Sequence, residues 1–182
     1  MKYTQIDISG VVLMEPAVFG DERGCFMETW REDEFRKQVA DVSFVQDNQS
    51  RSCKGTLRGL HYQIQNPQGK LVRVIAGEVF DVAIDLRKSS PSFGRWTGFR
   101  LSAENRQMFW VPPGFGHGFY VLSEAAEFVY RCSDYWAPEH ERCILWDDPD
   151  IGIDWPLLPG GMPLLSEKDI AGVPFKDAEV FE

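Results

Sequence analysis

The sequence predicts a mostly-β domain built as a sandwich or barrel, with a small helical accessory. Three observations carry this expectation. Apolar and polar side chains alternate through the middle of the chain, turn-forming clusters recur between the alternating runs, and only one long stretch has a helical stripe.

The alternation starts at Val11 to Leu13. Arg31 to Ala40 follows as the helix, with Phe35 and Val39 on one stripe and charges elsewhere. Phe44 to Asp47 reads as a strand, and the pattern is strongest in Leu71 to Ala76 and Val79 to Leu86. Gly77-Glu78 between those two runs predicts a tight hairpin. Within the second run Phe80, Val82, Ile84 and Leu86 share a face, and Val79, Asp81, Ala83 and Asp85 share the other. That second face is either solvated or lines a polar cavity. Trp96 to Leu101, Gln107 to Val111, Gly118 to Leu122 and Glu127 to Cys132 are further strands, separated by Ser- and Pro-rich turns. From Asp150 onward Pro and Gly increase, with a short helix expected after Ser166, whose hydroxyl would cap it above Asp169. No repeat or linker composition interrupts the chain. One domain over 1–182 is expected, with a core of about 6–145 and a C-terminal extension of about 146–182.

Composition narrows the function. The net charge of −9 and pI near 4.9 argue against nucleic-acid binding, which needs a broad basic face. An anionic ligand stays compatible, because a few Arg and Lys dominate the potential inside a cleft. No signal-like segment and no membrane span of roughly 18 apolar residues is present, so a cytoplasmic, soluble protein is expected. Cys25, Cys53, Cys132 and Cys143 are irregularly spaced and read as reduced, buried or incidental, not as zinc ligands.

The chemistry-bearing segments are Arg58-Gly59-Leu60-His61-Tyr62-Gln63, Lys70, and Pro112-Pro113-Gly114-Phe115-Gly116-His117-Gly118-Phe119. Histidine is the side chain that titrates near neutrality, and a neighbouring cation attracts phosphate or steadies an enolate oxygen. Ideal pleating puts Arg58 and His61 on opposite faces. A bulge at Gly59 would reunite them, or they serve different walls or subunits. His117 is either a turn residue bonded to backbone or a phosphate or carbonyl contact. The glycines around it precede a strand, not a helix, so the dinucleotide fingerprint is absent. A metal is not expected: no HxH pair occurs, and His140 lies in a polar loop-like stretch. Tyr130, Tyr135 and Trp136 are packing residues by default, yet a tyrosine lining a cavity can donate a proton, and Tyr135 or Trp136 can stack on a flat ring. Arg23-Gly24 and Glu28 look locally like an ordinary polar turn and strand.

Taken together, Arg58–Gln63, Gln68-Gly69-Lys70-Leu71-Val72-Arg73, Gly77–Val82, Pro113–Phe119 and Leu165-Ser166-Glu167-Lys168-Asp169 resemble the dTDP-4-dehydrorhamnose 3,5-epimerase family, in order, from about Ile6 to about Asp169. The resemblance implies an all-β, cupin-type jelly roll with a few short peripheral helices, a homodimer, and no metal or cofactor. It implies 3,5-epimerisation of dTDP-4-dehydro-6-deoxy-D-glucose, in dTDP-L-rhamnose biosynthesis. It further implies His61 as base, Asp169 as the carboxylate orienting it, Tyr130 as acid on the opposite side of the sugar and Lys70 near the C4 oxygen. Arg23, Glu28, Gln46, Asp47, Asn48, Arg58, His117, Glu141 and Lys168 match substrate contacts, and Tyr135-Trp136 falls where an aromatic stacks on thymine. Competing readings are an epimerase that inverts one centre, a non-catalytic sugar-binding module of the same fold, and a metal-dependent oxygenase of that fold.

Overall fold

The structure is a computed structural model describing residues 1–182. Its strands are β1 (Lys2–Gln5), β2 (Val12–Glu15), β3 (Val18–Asp21), β4 (Gly24–Met27), β5 (Gln46–Cys53), β6 (Leu57–Gln63), β7 (Lys70–Ala76), β8 (Glu78–Asp85), β9 (Trp96–Ser102), β10 (Met108–Val111), β11 (Phe115–Val121), β12 (Ala125–Cys132) and β13 (Glu141–Cys143). Two short α-helices, α1 (Glu32–Gln38) and α2 (Glu167–Ile170), and single 3-10 turns at Pro138–His140 and Phe175–Asp177 complete the regular elements. The strands form a six-stranded sheet ordered β1-β2-β10-β7-β12-β5 and a five-stranded sheet ordered β13-β6-β11-β8-β9, with β3 and β4 as a separate hairpin. The pairs within these strands are antiparallel. This is the expected β jelly roll of cupin type.

Three apolar clusters explain its layers. One, around Val72, Phe109, Phe119 and Phe128, fills the space between the sheets. A second, around Leu60, Ile84, Tyr120 and Trp155, lies where the C-terminal segment covers the outer face of the five-stranded sheet. A third seats α1 on the outer face of the six-stranded sheet. There Phe35 meets Trp110 edge-on at 5.2 Å and Phe44 at 5.4 Å. Such pairs contribute about 0.5–1.5 kcal/mol each beyond area burial. The helix falls where the Phe35–Val39 stripe predicts, trimmed at both ends, with Arg31 as its N-cap.

One expectation is corrected. Gly77-Glu78 does not close a hairpin, because β7 and β8 belong to different sheets. Gly77 has φ +77°, and a Cβ there would lie 2.1 Å from the Ala125 carbonyl oxygen, so the chain turns tightly and crosses between layers. The alternation in β8 is therefore a strand buried on both faces, Val82 and Ile84 outward and Asp81 inward. No helix is long and apolar enough to cross a membrane.

Candidate active site

Between the sheets, beside the apolar cluster, lies a cavity of about 430 Å³. Its wall on the six-stranded sheet comes from alternate positions of β5 (Gln46, Asn48, Ser50), from Lys70 at the start of β7, and from Phe128 and Tyr130 of β12. The facing wall holds Arg58 and His61 of β6, His117 and Phe119 of β11, and Glu141 of β13. Lys168 and Trp136 stand at the margin.

Arg58 and His61 share this wall because of a bulge. His117 pairs with His61 and Phe119 with Arg58, so two steps along β11 match three along β6. The extra residue lies at Gly59-Leu60, where Gly59 has φ +135°. A Cβ on Gly59 would sit 2.5 Å from the Gly118 Cα, so the two strands approach as closely as glycine allows. Leu60 consequently points outward into the C-terminal core, and His61 points inward.

His61 Nε2 lies 2.8 Å from Asp169 Oδ1, while Nδ1 has no protein partner. Asp169 is positioned by its own helix. Ser166 caps α2 by accepting from the Asp169 N–H, and the Asp169 carboxylate accepts from the Ser166 N–H in return. Its Oδ2 also accepts from the Ser166 hydroxyl at 2.6 Å, and Oδ1 from the Gly59 N–H at 3.0 Å. Burial opposes ionisation of Asp169, but these contacts outweigh it and hold the carboxyl well below the usual range. Burial lowers the His61 pKa and Asp169 raises it, with a net downward shift. The imidazole is therefore neutral, and able to accept a proton, at pH 7.

Tyr130 comes from the opposite sheet, and burial pushes its hydroxyl up, so it holds its proton. Lys70 makes no ion pair within the protein, and desolvation pulls its ammonium down from the ordinary lysine value. His117 is buried, with Nε2 at 2.9 and 3.1 Å from the two oxygens of Asp81. Burial raises the Asp81 pKa against the opposing pull of His117 and Lys70. The loop carrying Trp136 is tied down by three glutamines. Gln46 accepts from the Trp136 N–H, Gln63 accepts from the Ala137 N–H and donates to the Tyr135 carbonyl, and Gln68 donates to the Asp134 carbonyl.

Of the residues singled out in the sequence, Gln46, Asn48, Arg58, His61, Lys70, His117, Tyr130, Trp136, Glu141 and Lys168 line this cavity, and Asp169 backs His61. Glu141 and Lys168 form an ion pair. Four residues lie elsewhere. Asp47 alternates to the outer face of its sheet, where it meets Arg131 at 3.5 Å. The exposed Tyr135 does not line the cavity, its neighbour Trp136 being turned in instead. Arg23 sits at the tip of the exposed β3–β4 hairpin paired with Asp21, and Glu28 follows that hairpin, exposed. Asp81, Gln63, Gln68 and Ser50 are contributors that sequence reasoning did not single out. For Asp81 the signal was present in the carboxylates on the inner face of β8.

A neutral imidazole and a protonated tyrosine hydroxyl come from opposing sheets to one cavity that also holds an unpaired ammonium. Such an arrangement suits an isomerase that moves protons at carbon. The comparisons give the particular kind. The family model described as dTDP-4-dehydrorhamnose 3,5-epimerase matches residues 5–177. The enzyme of that name from Pseudomonas aeruginosa is 60% identical over 182 residues, covering 100% of this chain and 99% of its own. The one from Shigella flexneri is 54% identical over 100% of this chain and 99% of its own. Among solved structures, dTDP-6-deoxy-D-glucose-3,5-epimerase RmlC from Legionella pneumophila, in complex with dTDP-4-keto-L-rhamnose, superposes with a TM-score of 0.94 at 49% identity, covering 98% of this chain and 94% of that one. ChmJ, a 3'-monoepimerase from Streptomyces bikiniensis in complex with dTDP-quinovose, gives 0.86 at 35% identity, covering 94% and 86%. The chain belongs to the dTDP-4-dehydrorhamnose 3,5-epimerase family.

Proposed function

We propose that this protein converts dTDP-4-dehydro-6-deoxy-D-glucose to dTDP-4-dehydro-L-rhamnose, in dTDP-L-rhamnose biosynthesis, by inverting C3 and C5. The observation that carries the reading is the placement of His61, backed by Asp169, and Tyr130 on opposing walls of one cavity. The C4 ketone acidifies the hydrogens on C3 and C5, because the carbanion left behind delocalises onto oxygen. His61 Nδ1 removes a proton from one face, and Asp169 stabilises the imidazolium. The Lys70 ammonium stabilises the enolate oxygen, and loss of one such donor costs roughly 2.7–4 kcal/mol in a comparable oxyanion site. Tyr130 returns a proton from the other face. Acid–base groups of this kind contribute about 10²–10⁴-fold each.

The rest of the substrate is held along the cavity. Arg58 takes the diphosphate, Trp136 stacks on thymine with Tyr135 beside it at the rim, and His117, Gln46, Asn48, Glu141 and Lys168 complete the contacts. Arg23 and Glu28 act on the cavity of a second copy. This reading is supported by the hairpin that presents them, whose Phe19 and Phe26 are 66% and 70% exposed. A homodimer follows, with residues 1–182 working as one domain. Four free thiols support a cytoplasmic setting. The likeness to the monoepimerase favours inversion of one centre as the second reading.

Incubation with the substrate in D₂O, with NMR of the product, separates these. Deuterium and inversion at both C3 and C5 are expected. Label and inversion at one carbon would select the second reading, and substrate recovered unlabelled would reject both.

A further inference from the structure

Cys143 lies directly across the strand pair from His61: β13 pairs with β6 so that Cys143 and His61 are partners in register. Proton transfer as described above leaves this thiol without a task. One ligand atom each from His61, Cys143 and Asp169 lie within 4.8 Å of one another. His61 Nε2 is fully buried, and although Asp169 is close, no aligned hydrogen bond satisfies it. We infer that His61, Cys143 and Asp169 form a binding site for a thiophilic divalent cation, Zn²⁺ in chemical type, whose occupancy switches the enzyme off.

Nitrogen, sulfur and carboxylate oxygen are the ligand set that zinc selects, at bond lengths of about 2.0–2.3 Å. Ligands around such an ion stand about 3–4 Å apart, so small side-chain rotations close the site. The three residues come from β6, β13 and α2, and both β13 and α2 lie against β6. The carboxylate is already oriented by the Gly59 N–H and the Ser166 hydroxyl, the outer contacts a metal ligand needs. The neighbouring Lys168 opposes a cation, but Glu141 pairs with it.

The consequence for catalysis is a tautomer switch, and this half rests on His61 being the base. With Asp169 at Nε2, the imidazole carries its single proton there and Nδ1 keeps a lone pair. A cation on Nε2 displaces that proton, which moves to the Nδ1 lone pair, and Nδ1 can no longer accept one. The Cys143 thiol loses its proton to solvent as the sulfur–metal bond forms, so one proton is released per ion bound.

The test uses the full chain with the exposed Cys25 and Cys53 replaced by serine. Titration with CoCl₂ is expected to give a thiolate-to-cobalt charge-transfer absorption that saturates at equimolar metal and is absent after Cys143→Ser. ZnCl₂ is expected to inhibit turnover, EDTA to restore it, and Cys143→Ser to keep its uninhibited rate while needing about tenfold or more zinc. No absorption, or one that survives Cys143→Ser, overturns the site. Absorption without inhibition overturns the switch. The cobalt signal reads the site even if the protein turns over no epimerase substrate, so failure of the functional reading is told apart from failure of this one.

Discussion

His61 and His117 stand opposite each other in register on β6 and β11, each backed by an aspartate from a different element. The two pairs differ in what they leave free. The His61 side chain is 22% exposed, with Nδ1 unengaged; the His117 side chain is 8% exposed, and its Nε2 is held by both oxygens of Asp81. Identical residue types are thus divided between an imidazole with one nitrogen open to the cavity and a packed polar strut.

His61→Ala is expected to lower turnover and solvent-deuterium incorporation at C3 and C5 together, by at least about 10²–10⁴-fold. Asp169 keeps its Ser166 and Gly59 partners, so the fold survives. Exchange at the wild-type rate in a folded variant would refute the base assignment.

His117→Leu leaves the Asp81 carboxylate buried without its partner, at a cost of roughly 3–5 kcal/mol in unfolding free energy. Burial already raises the Asp81 pKa. In the variant it rises further, so the loss is relieved as pH falls and Asp81 takes up a proton, and it deepens as pH rises. Urea denaturation at acidic and alkaline pH checks the sign. A loss that grows toward acid would contradict a buried Asp81 carboxylate held by His117.

In kcat/KM, the acid limb follows protonation of His61. It is expected below the ordinary histidine value of about 6.5, because burial lowers that pKa. Asp169→Asn removes a contact that raises it, so the limb moves to still lower pH while kcat falls by about 10²-fold or more. A limb that moves upward would show that Asp169 does not hold the imidazole.

With Tyr130→Phe, wash-in of deuterium is expected to persist better than completed inversion, since abstraction is kept and return from the other face is lost. The alkaline limb should remain, because Lys70 is shifted down and Tyr130 up from their ordinary values. Equal retention of exchange and inversion would count against the donor role.

Gly59→Ala drives a Cβ into the Gly118 backbone at 2.5 Å and strains a φ of +135°. Loss of several kcal/mol in stability is expected, along with most activity, because Arg58 and His61 no longer share a wall. A crystal structure of an active variant with the bulge intact would reject this role for the glycine.

Strands with an apolar inner face were legible from alternation alone: β7, β8, β10 and β12 fall close to where the pattern puts them. β5 was not. Phe44 to Asp47 was expected, but the strand runs from Gln46 to Cys53. Its inner residues Gln46, Asn48 and Ser50 line a polar cavity and its outer ones meet solvent, so both faces are polar and the signal vanishes. The capping box at Ser166 was readable because it is local. The crossing at Gly77 was not, since a tight turn within a sheet and one between sheets use the same residue. Asp47 matched a contact position by motif, yet the period of two carries it to the far face. The wall shared by Arg58 and His61 required a bulge that a glycine permits without dictating.

Asp169 stands 110 positions after Gly59, the backbone group it accepts from, and enters from α2. During synthesis both sheets can assemble and the pocket can take shape while its imidazole still lacks a carboxylate. A chain cut short before Ser166 is therefore expected to keep the sheets that line the pocket while losing the carboxylate that orients its imidazole, with a turnover loss at least as large as that of Asp169→Asn.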